Sequence, residues 1–518
     1  MRTIEIDPRH YRGPVEIEQQ KGTDFSFYVK QISTSAAAMV GITEKGPVNK
    51  PVLVTSWEQF INKFGSYINE GYLAYAARAF FDNGGSILYV CRVAHYTDIT
   101  DKSTLTALNS NMTIADRNAT PAPALQVNAA NPGTWGDRIS VTVEDGSLDP
   151  ANAFNLVVKY KDNIVEVFKD LSMDETSANH VELMINEVSD YITVSDLSPS
   201  TGTAEDRPVA GTYQLIGGDN GLTGVTDSDY IGDPSQHTGL YAFDEIDALN
   251  LLMVPGVTTV PVINAGITYA ENRKDLLFIA DTPFMLEPLE VVDFRKGQGT
   301  YTHAAFNSSY AALYYPWLEI SDPITARKKY IPPCGAVAGC CARSDQKTYV
   351  WWAPAGIDRG RIFNAVSVAY KTSRGERDVL YPEGVNVIAV FPDTGINIWG
   401  QKTLQSQPSA VDRINVRRLM MYMEEAISES SRFVVFEPNN PQTWRALGRL
   451  INPFLQDIKE KGGLYDYAFQ CDEETNTPAV IDRNEMIARV FVKPTKTAEF
   501  IELNFILTGT GADFSEII

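Results

Sequence analysis

The chain has 518 residues, 44% of them hydrophobic and 21% charged, so it is globular and long enough for about two to four domains. Its formal net charge of −21 argues against direct nucleic-acid or anionic-membrane contact, because either needs a basic footprint to displace counterions. No run approaches the roughly 18–20 consecutive apolar residues of a membrane span, and residues 1–13 lack an apolar signal core, so assembly in a host cytoplasm without a signal peptide is expected.

In chain order, residues 1–22 are short extended pieces punctuated by Pro8, Gly13 and Pro14. Ile4 and Ile6, then Val15 and Ile17, alternate with polar residues at the period of a strand with one buried face, as in an arm built to pair. From Ala36 the pattern becomes α/β. An apolar run over 36–42 leads through a turn to the strand "PVLVT", and Thr55 or Ser56 caps a helix carrying Trp57, Phe60, Ile61 and Phe64. A helix over 71–81, a turn at Asn83-Gly84-Gly85 and the buried strand "SILYVCRVA" follow, and this alternation predicts a layered α/β domain.

Residues 101–210 are richer in Thr, Asn, Asp and Ser, and their short runs "RISVTVE", "FNLVVKY" and "IVEVFKD" predict a β-rich insertion. The α/β pattern resumes at "YQLIGGDNG" and continues through "ALNLLMVPG", a helix near 266–274, "DLLFIAD" and a helix near 302–313.

Further on, "VDRINVRRLMMYMEEAISESSRF" places Val416, Met420, Met423 and Ile427 on one helical face, with "FVVFEP" expected as a buried strand. The next helix opens with Pro441, stops at Gly462 and carries Trp444, Leu447, Ile451, Phe454 and Ile458 on one stripe. Pro453 should kink or divide it. Two strands, "IARVFVKP" and "EFIELNFIL", close the domain. Beyond a Gly509–Gly511 joint comes a tail whose Phe514, Ile517 and Ile518 ask for burial.

Chemistry-bearing patterns are sparse. "GITEKGPV" has the glycine spacing of a phosphate loop, but Pro47 stands where the lysine belongs, so a strand-to-strand turn is the better reading. The turn Gly217–Gly221 offers backbone amides to an anion, yet glycines here also suit a tight turn. The acidic stretch around Asp227 and Asp229 lacks calcium-loop spacing and reads as a solvated loop. The five histidines are scattered, and His303 near Ser308 reads as an ordinary helix pair. The five cysteines contain no Cys-x-x-Cys and read as reduced, mostly buried thiols, with neither disulfide framework nor zinc site. Arg445 and Arg449, followed by Lys459 and Lys461, give one helix of an acidic protein a cationic face, which is either solvated or a docking surface for an acidic partner.

Taken in order, these segments resemble the contractile tail sheath family. "GPVEIE" is similar to its N-terminal arm; "STSAAAMVGITEKGPVNKPVLVTSWEQFINKFG" and "YLAYAARAFFDNGGSILYVCRV" to its first block; "LIGGDNG", "DYIG" and "ALNLLMVPG" to its middle block. "WWAPAG", "GINIWGQKTL", "INVRRLMMYMEEAI", "FVVFEPNNPQTWRALGRLINPFL" and "AEFIELNFIL" resemble its C-terminal domain. The likeness covers most of the chain outside roughly 101–210.

That resemblance implies a structural polymer in a virion tail or an injection particle, with no enzymatic activity and no cofactor. Copies of the chain would stack as rings or a helix around an inner tube protein, between baseplate and tail terminator proteins, and contract to drive the tube through a target cell envelope. The implied fold is α/β and multidomain. An N-terminal arm (1–22) and a C-terminal arm (509–518) exchange β-strands with neighbours, and an α/β sheath domain spans 23–100 and 211–385. A β-rich, outward-facing insertion (101–210) and an α+β C-terminal domain facing the tube (386–508) complete it. The arm side chains are then Ile4, Ile6, Val15, Ile17, Phe514, Ile517 and Ile518, the hinge Gly509 and Gly511, and the tube-facing candidates Arg445, Arg449, Lys459 and Lys461. Two other readings stay open: a non-contractile surface-array or tubular protein, and an α/β enzyme holding a phosphate-bearing ligand at Gly217–Gly221.

Overall fold

A computed structural model describes Val29, residues 32–197 and residues 204–499. The expected arm side chains, the hinge glycines and the strand expected over 503–507 lie outside the described residues. The chain divides into two compact units, Met1–Glu437 and Pro438–Ile518.

The first unit is built on an eight-stranded sheet. In spatial order its strands are Gly395–Ile398, Val385–Phe391, Ala311–Tyr315, Leu277–Asp281, Leu251–Met253, Ala37–Gly41, Leu88–Arg92 and Val52–Val54. The inner pairings are parallel and the pairing at each edge is antiparallel. A parallel sheet covered on both faces needs strands that are apolar throughout, and Ala37–Gly41, Leu277–Asp281 and Ala311–Tyr315 are buried at every position. Successive side chains enter opposite layers: Ala37 and Met39 join a core with Phe60, Phe80 and Val337, whereas Ala38 and Val40 join one with Ile263, Val291 and Phe294.

Helices Trp57–Phe64, Leu73–Asp82 and Cys334–Lys347 contribute to the first layer, and Val260–Arg273 and Pro288–Lys296 to the second. Two of these helices approach closely because Gly335 and Gly339 lack side chains; a Cβ at either would lie 2.2 Å from the Ala76 carbonyl oxygen or 2.5 Å from that of Phe80. Cys91, Cys334, Cys340 and Cys341 are buried free thiols, and Cys471 is half-buried and free.

The β-rich insertion consists of two antiparallel sheets around one core. Gly211–Gln214, Ile139–Asp145, Phe154–Tyr160 and Asn163–Leu171 form one, and Asn111–Ala115, Pro123–Ala129 and Ile192–Asp196 the other. Trp135, Phe154, Leu156 and Val127 fill the space between them.

Several expectations change. The segment 302–313 is not a helix: residues 302–309 are irregular, and Ala311–Tyr315 is a central strand. His303 and Ser308 therefore make no helix pair; the imidazole stacks on Phe306 at 4.6 Å, and the Ser308 hydroxyl accepts from the Tyr310 N–H at 3.1 Å. "FVVFEP" forms a short 3-10 turn at Arg432–Val434, after which Phe436 adopts φ 72° with 90% exposure. Its β-branched run finds no ladder to join among the described residues, where Val385–Phe391 already pairs with Ala311–Tyr315 and Gly395–Ile398. The second compact unit starts at Pro438, and the strands Val385–Phe391 and Gly395–Ile398 belong to the first unit.

In the second unit, Asn440 caps helix Pro441–Glu460 by accepting from the N–H groups of Gln442 and Thr443 at 2.9 and 3.1 Å. Trp444, Leu447, Ile451 and Ile458 are buried, and Phe454 is half-buried. The helix runs through Pro453 undivided, with that ring exposed. An antiparallel hairpin, Leu464–Gln470 with Arg489–Pro494, packs on it: the Tyr467 hydroxyl donates to the Asn452 carbonyl at 3.2 Å, and the Phe469 ring lies against Gly448.

Candidate subunit-contact surfaces

The features that suggested ligand chemistry are satisfied inside the protein. In the glycine turn, the Gly218 N–H donates to Asp137 Oδ1 (3.0 Å), the Gly221 N–H to Asp219 Oδ1 (2.7 Å) and the Asp219 N–H to the Leu108 carbonyl (3.0 Å). Asn220 Oδ1 accepts from the Thr134 N–H at 2.9 Å, and its carbonyl accepts from buried Arg92 at 3.3 Å. Arg92 also donates to the carbonyls of Gly46 and Pro132 at 2.8 and 2.7 Å, so one guanidinium ties the sheet strand Leu88–Arg92 to the turn at Gly46, to the insertion at Pro132 and to the glycine turn at Asn220. These amides are spent on holding the insertion.

Open α/β sheets bind ligands beyond the strand ends where chain order reverses, here beside Ala37–Gly41, flanked by Leu88–Arg92 and Leu251–Met253. Lys45, the cation of "GITEKGPV", is 7% exposed, and its Nζ sits 5.2 Å from the ring centroids of Trp135 and Tyr191 and 5.8 Å from Tyr160. Burial pushes its pKa down, against the opposing charge of Glu44. A groove of about 450 Å³ remains alongside, but Glu44 there accepts from the Ser66 N–H at 2.8 Å and pairs with Arg138 at 3.3 Å.

The acidic stretch is not a solvated loop. It forms helix Asp227–Ile231, in which Asp229 is 2% exposed and accepts from the N–H groups of Thr226 and Tyr96 at 2.8 and 2.9 Å, with His95 Nδ1 3.1 Å away. The sequence signal was the capping-box spacing from Thr226 to Asp229. Among the described residues no group of three His, Cys, Asp or Glu side chains is placed to hold a metal, and no helix is long and apolar enough to cross a membrane.

The second unit presents a different surface. Helix Pro441–Glu460 covers one face of the hairpin, and no third strand pairs with either edge among the described residues. Ala468 opposite Phe491, and Asp466 opposite Lys493, point to the other face, with Phe491 48% exposed. Open edges beside an uncovered apolar side chain make a template for strand addition.

Of the cationic candidates, Arg445 and Arg449 are exposed, and Arg445 Nε donates to the Pro441 carbonyl of its own helix at 3.0 Å. Lys459 pairs with Asp466 at 2.9 Å and Lys461 with Asp457 at 2.7 Å, which neutralises much of their charge. The structure therefore brings Arg445 and Arg449 together as neighbouring turns of one exposed face.

Other residues of consequence carried weaker sequence signals. Helix Ile414–Ser430 buries Arg418 among apolar side chains, and the "RR" inside "INVRRLMMYM" was the available hint. The same helix lines a groove of about 490 Å³ with Ile32, Ser33, Asp247, Arg273, Asp275, Glu424 and Glu425. Burial first, then the negative charges of Asp275, Glu429 and Asp247, push the Glu425 carboxyl up to about 8, with Arg273 opposing. Arg273 is itself bound to Asp275 at 2.6 Å.

Three family models match the chain in order. They describe the tail sheath protein Gp18 domain III N-terminal region (residues 34–93), the phage tail sheath protein central domain (224–404) and the phage tail sheath C-terminal domain (406–508). The tail sheath protein of Vibrio phage KVP40 is 30% identical over 385 residues, covering 71% of this chain and 57% of that protein. That of Enterobacteria phage T4 is 39% identical over 229 residues, covering 44% and 35%. The chain thus spans little more than half of the first relative and about a third of the second. Among solved structures, a sheath tail protein from Listeria innocua superposes with TM-score 0.61 at 12% identity, covering 90% of this chain and 96% of that one. The helical sheath of the anti-feeding prophage in its contracted state gives 0.57 at 18%, covering 96% and 99%. At such identities the likeness is one of fold.

Proposed function

Because the chain belongs to the contractile tail sheath family, whose models match it in order between residues 34 and 508, we propose that it is the structural subunit of a contractile tail sheath. Copies polymerise around an inner tube, attach to a baseplate and shorten to drive the tube through a target envelope. The observation that carries this reading is the ordered family match on a chain whose second unit offers a hairpin with two unpaired edges among the described residues.

Strand addition is the mode that such a hairpin supports, since main-chain hydrogen bonds supply affinity and alternate side chains choose the register. The arms 1–22 and 509–518 are the strands added to neighbouring copies, with Ile4, Ile6, Val15, Ile17, Phe514, Ile517 and Ile518 as the inserted side chains. Gly509 and Gly511 let subunits turn while pairing persists. Arg445 and Arg449 face an acidic tube surface, and the insertion faces outward. The energy of contraction resides in differing subunit contacts, so the role is mechanical rather than catalytic; the internally satisfied glycine turn supports this over a phosphate-ligand enzyme.

Deleting residues 511–518 tests the reading. The variant should keep the circular dichroism and melting behaviour of the intact monomer yet yield no tubes by electron microscopy. Tubes from the truncated chain would refute strand exchange through this arm, and flat sheets from the intact chain would favour a surface array.

A further inference from the structure

We propose that the buried Arg418–Asp345 ion pair is the mechanical anchor of the N-terminal arm, the point at which tension carried by the preceding residues passes into the eight-stranded sheet. The inference rests on the proposed exchange of that arm between subunits. Arg418 comes from helix Ile414–Ser430 and Asp345 from helix Cys334–Lys347, and their side chains are 1% and 5% exposed. They meet through two parallel bonds, Nη1 to Oδ1 at 3.0 Å and Nη2 to Oδ2 at 2.5 Å.

What they grip is the chain leaving the arm. Arg418 Nη2 also donates to the Thr34 carbonyl at 2.8 Å, and the Thr34 hydroxyl donates to Asp345 Oδ2 at 2.8 Å. Two residues later, the Ala36 N–H donates to Asn250 Oδ1 at 3.1 Å, and its carbonyl accepts from the N–H groups of Asn250 and Leu251 at 2.9 and 3.1 Å. Ala37–Gly41 then begins, an inner strand flanked on both sides.

A buried ion pair stabilises a fold no better than well-packed apolar side chains of the same volume, so its presence calls for a positional role. Here it fixes a backbone carbonyl and a hydroxyl by directional bonds, where an apolar contact could slide. Opening it would leave two charges buried and unpaired, so Thr34 is released only when the surrounding helices also separate. Tension in the arm is therefore stopped at Thr34 instead of peeling the chain toward the sheet.

The test pulls the full-length monomer in optical tweezers, with handles at the N-terminus and at the exposed hairpin turn 392–394. The wild type should hold at Thr34 until the whole unit ruptures. In Arg418→Met/Asp345→Leu, which keeps apolar volume in the pocket, an early step of about 10 Å should appear, from residues 34–36 at ~3.5 Å each. Its force should be less than half the wild-type rupture force. Thr34→Val, which spares the ion pair, should show the same step at an intermediate force, and it carries the test if the double variant does not fold. Force curves unchanged from wild type in Thr34→Val and in a folded double variant would overturn the proposal. Deleting residues 1–22 tests the exchange separately: tubes formed without them would remove the load while leaving the force curves as they are, so the two failures read differently.

Discussion

Replacing Glu425 by Gln is expected to stabilise the first unit at alkaline pH and to leave it nearly unchanged at pH 5. The Glu425 carboxyl, held at the groove wall by burial and by the charges of Asp275, Glu429 and Asp247, has its pKa raised from 4.5 to about 8. Between those values the folded protein keeps a proton that the unfolded chain has lost. Stability must therefore fall as pH rises through that window, and the full cost is present above about 8. A rise from 4.5 to about 8 corresponds to about 5 kcal/mol at roughly 1.4 kcal/mol per pH unit, and solvent entering the groove trims this to roughly 2–3 kcal/mol. Gln cannot ionise, so Glu425→Gln lacks this slope. For a unit of this size, at about 2.1 cal/mol/K of unfolding entropy per residue, the difference is roughly 3 °C in Tm at pH 9. Differential scanning calorimetry of the two monomers from pH 5 to 9 measures it directly. Parallel Tm profiles across that range would refute the assignment of a neutral, half-buried Glu425.

Reversing Arg445 and Arg449 to Glu should weaken binding to the tube protein by about fivefold to tenfold per subunit, with the loss shrinking in high salt because both groups are exposed. Unchanged tube affinity in a co-sedimentation assay would count against a tube-facing role. Gly218→Ala places a Cβ 2.3 Å from the Gly133 carbonyl oxygen and 2.3 Å from Ser110 Oγ, so the turn must shift at a cost of about 1–3 kcal/mol. The shift should be read as faster proteolysis near the insertion, and wild-type protection would contradict it. Pro453→Ala returns an N–H to an unbroken helix at an exposed position and should raise stability by up to about 3 kcal/mol, measured by chemical denaturation. A loss of stability would show that the ring is structurally required.

Much of the architecture is written locally. Ala37–Gly41 reads as a strand because its residues are apolar without interruption, and helix Pro441–Glu460 reads as a helix because its apolar stripe repeats at the helical period between Pro441 and Gly462. The insertion reads as β-rich from its alternating runs, and all of its described strands belong to antiparallel sheets. Where local signals conflict, the fold decides. "HAAFNSSYAALYY" carries helix-favouring alanines, yet Ala311–Tyr315 is a strand because a central, doubly covered position in a parallel sheet outweighs propensity. "FVVFEP" has strand composition but no ladder to join among the described residues.

The buried polar groups were the least legible. Nothing in the spacing of Thr34, Asp345 and Arg418 links them, because up to 384 residues separate atoms that share hydrogen bonds. The same holds for Lys45 and its rings, and for Arg92 and the glycine turn. Sequence by itself determined most helices and strands, since those depend on periodicity and composition within short windows, and its motifs taken in order carried the resemblance to the sheath family. Only the tertiary structure decided which charges are paired, which glycines are crowded and which sheet edges are open among the described residues, because those depend on distances that folding alone creates.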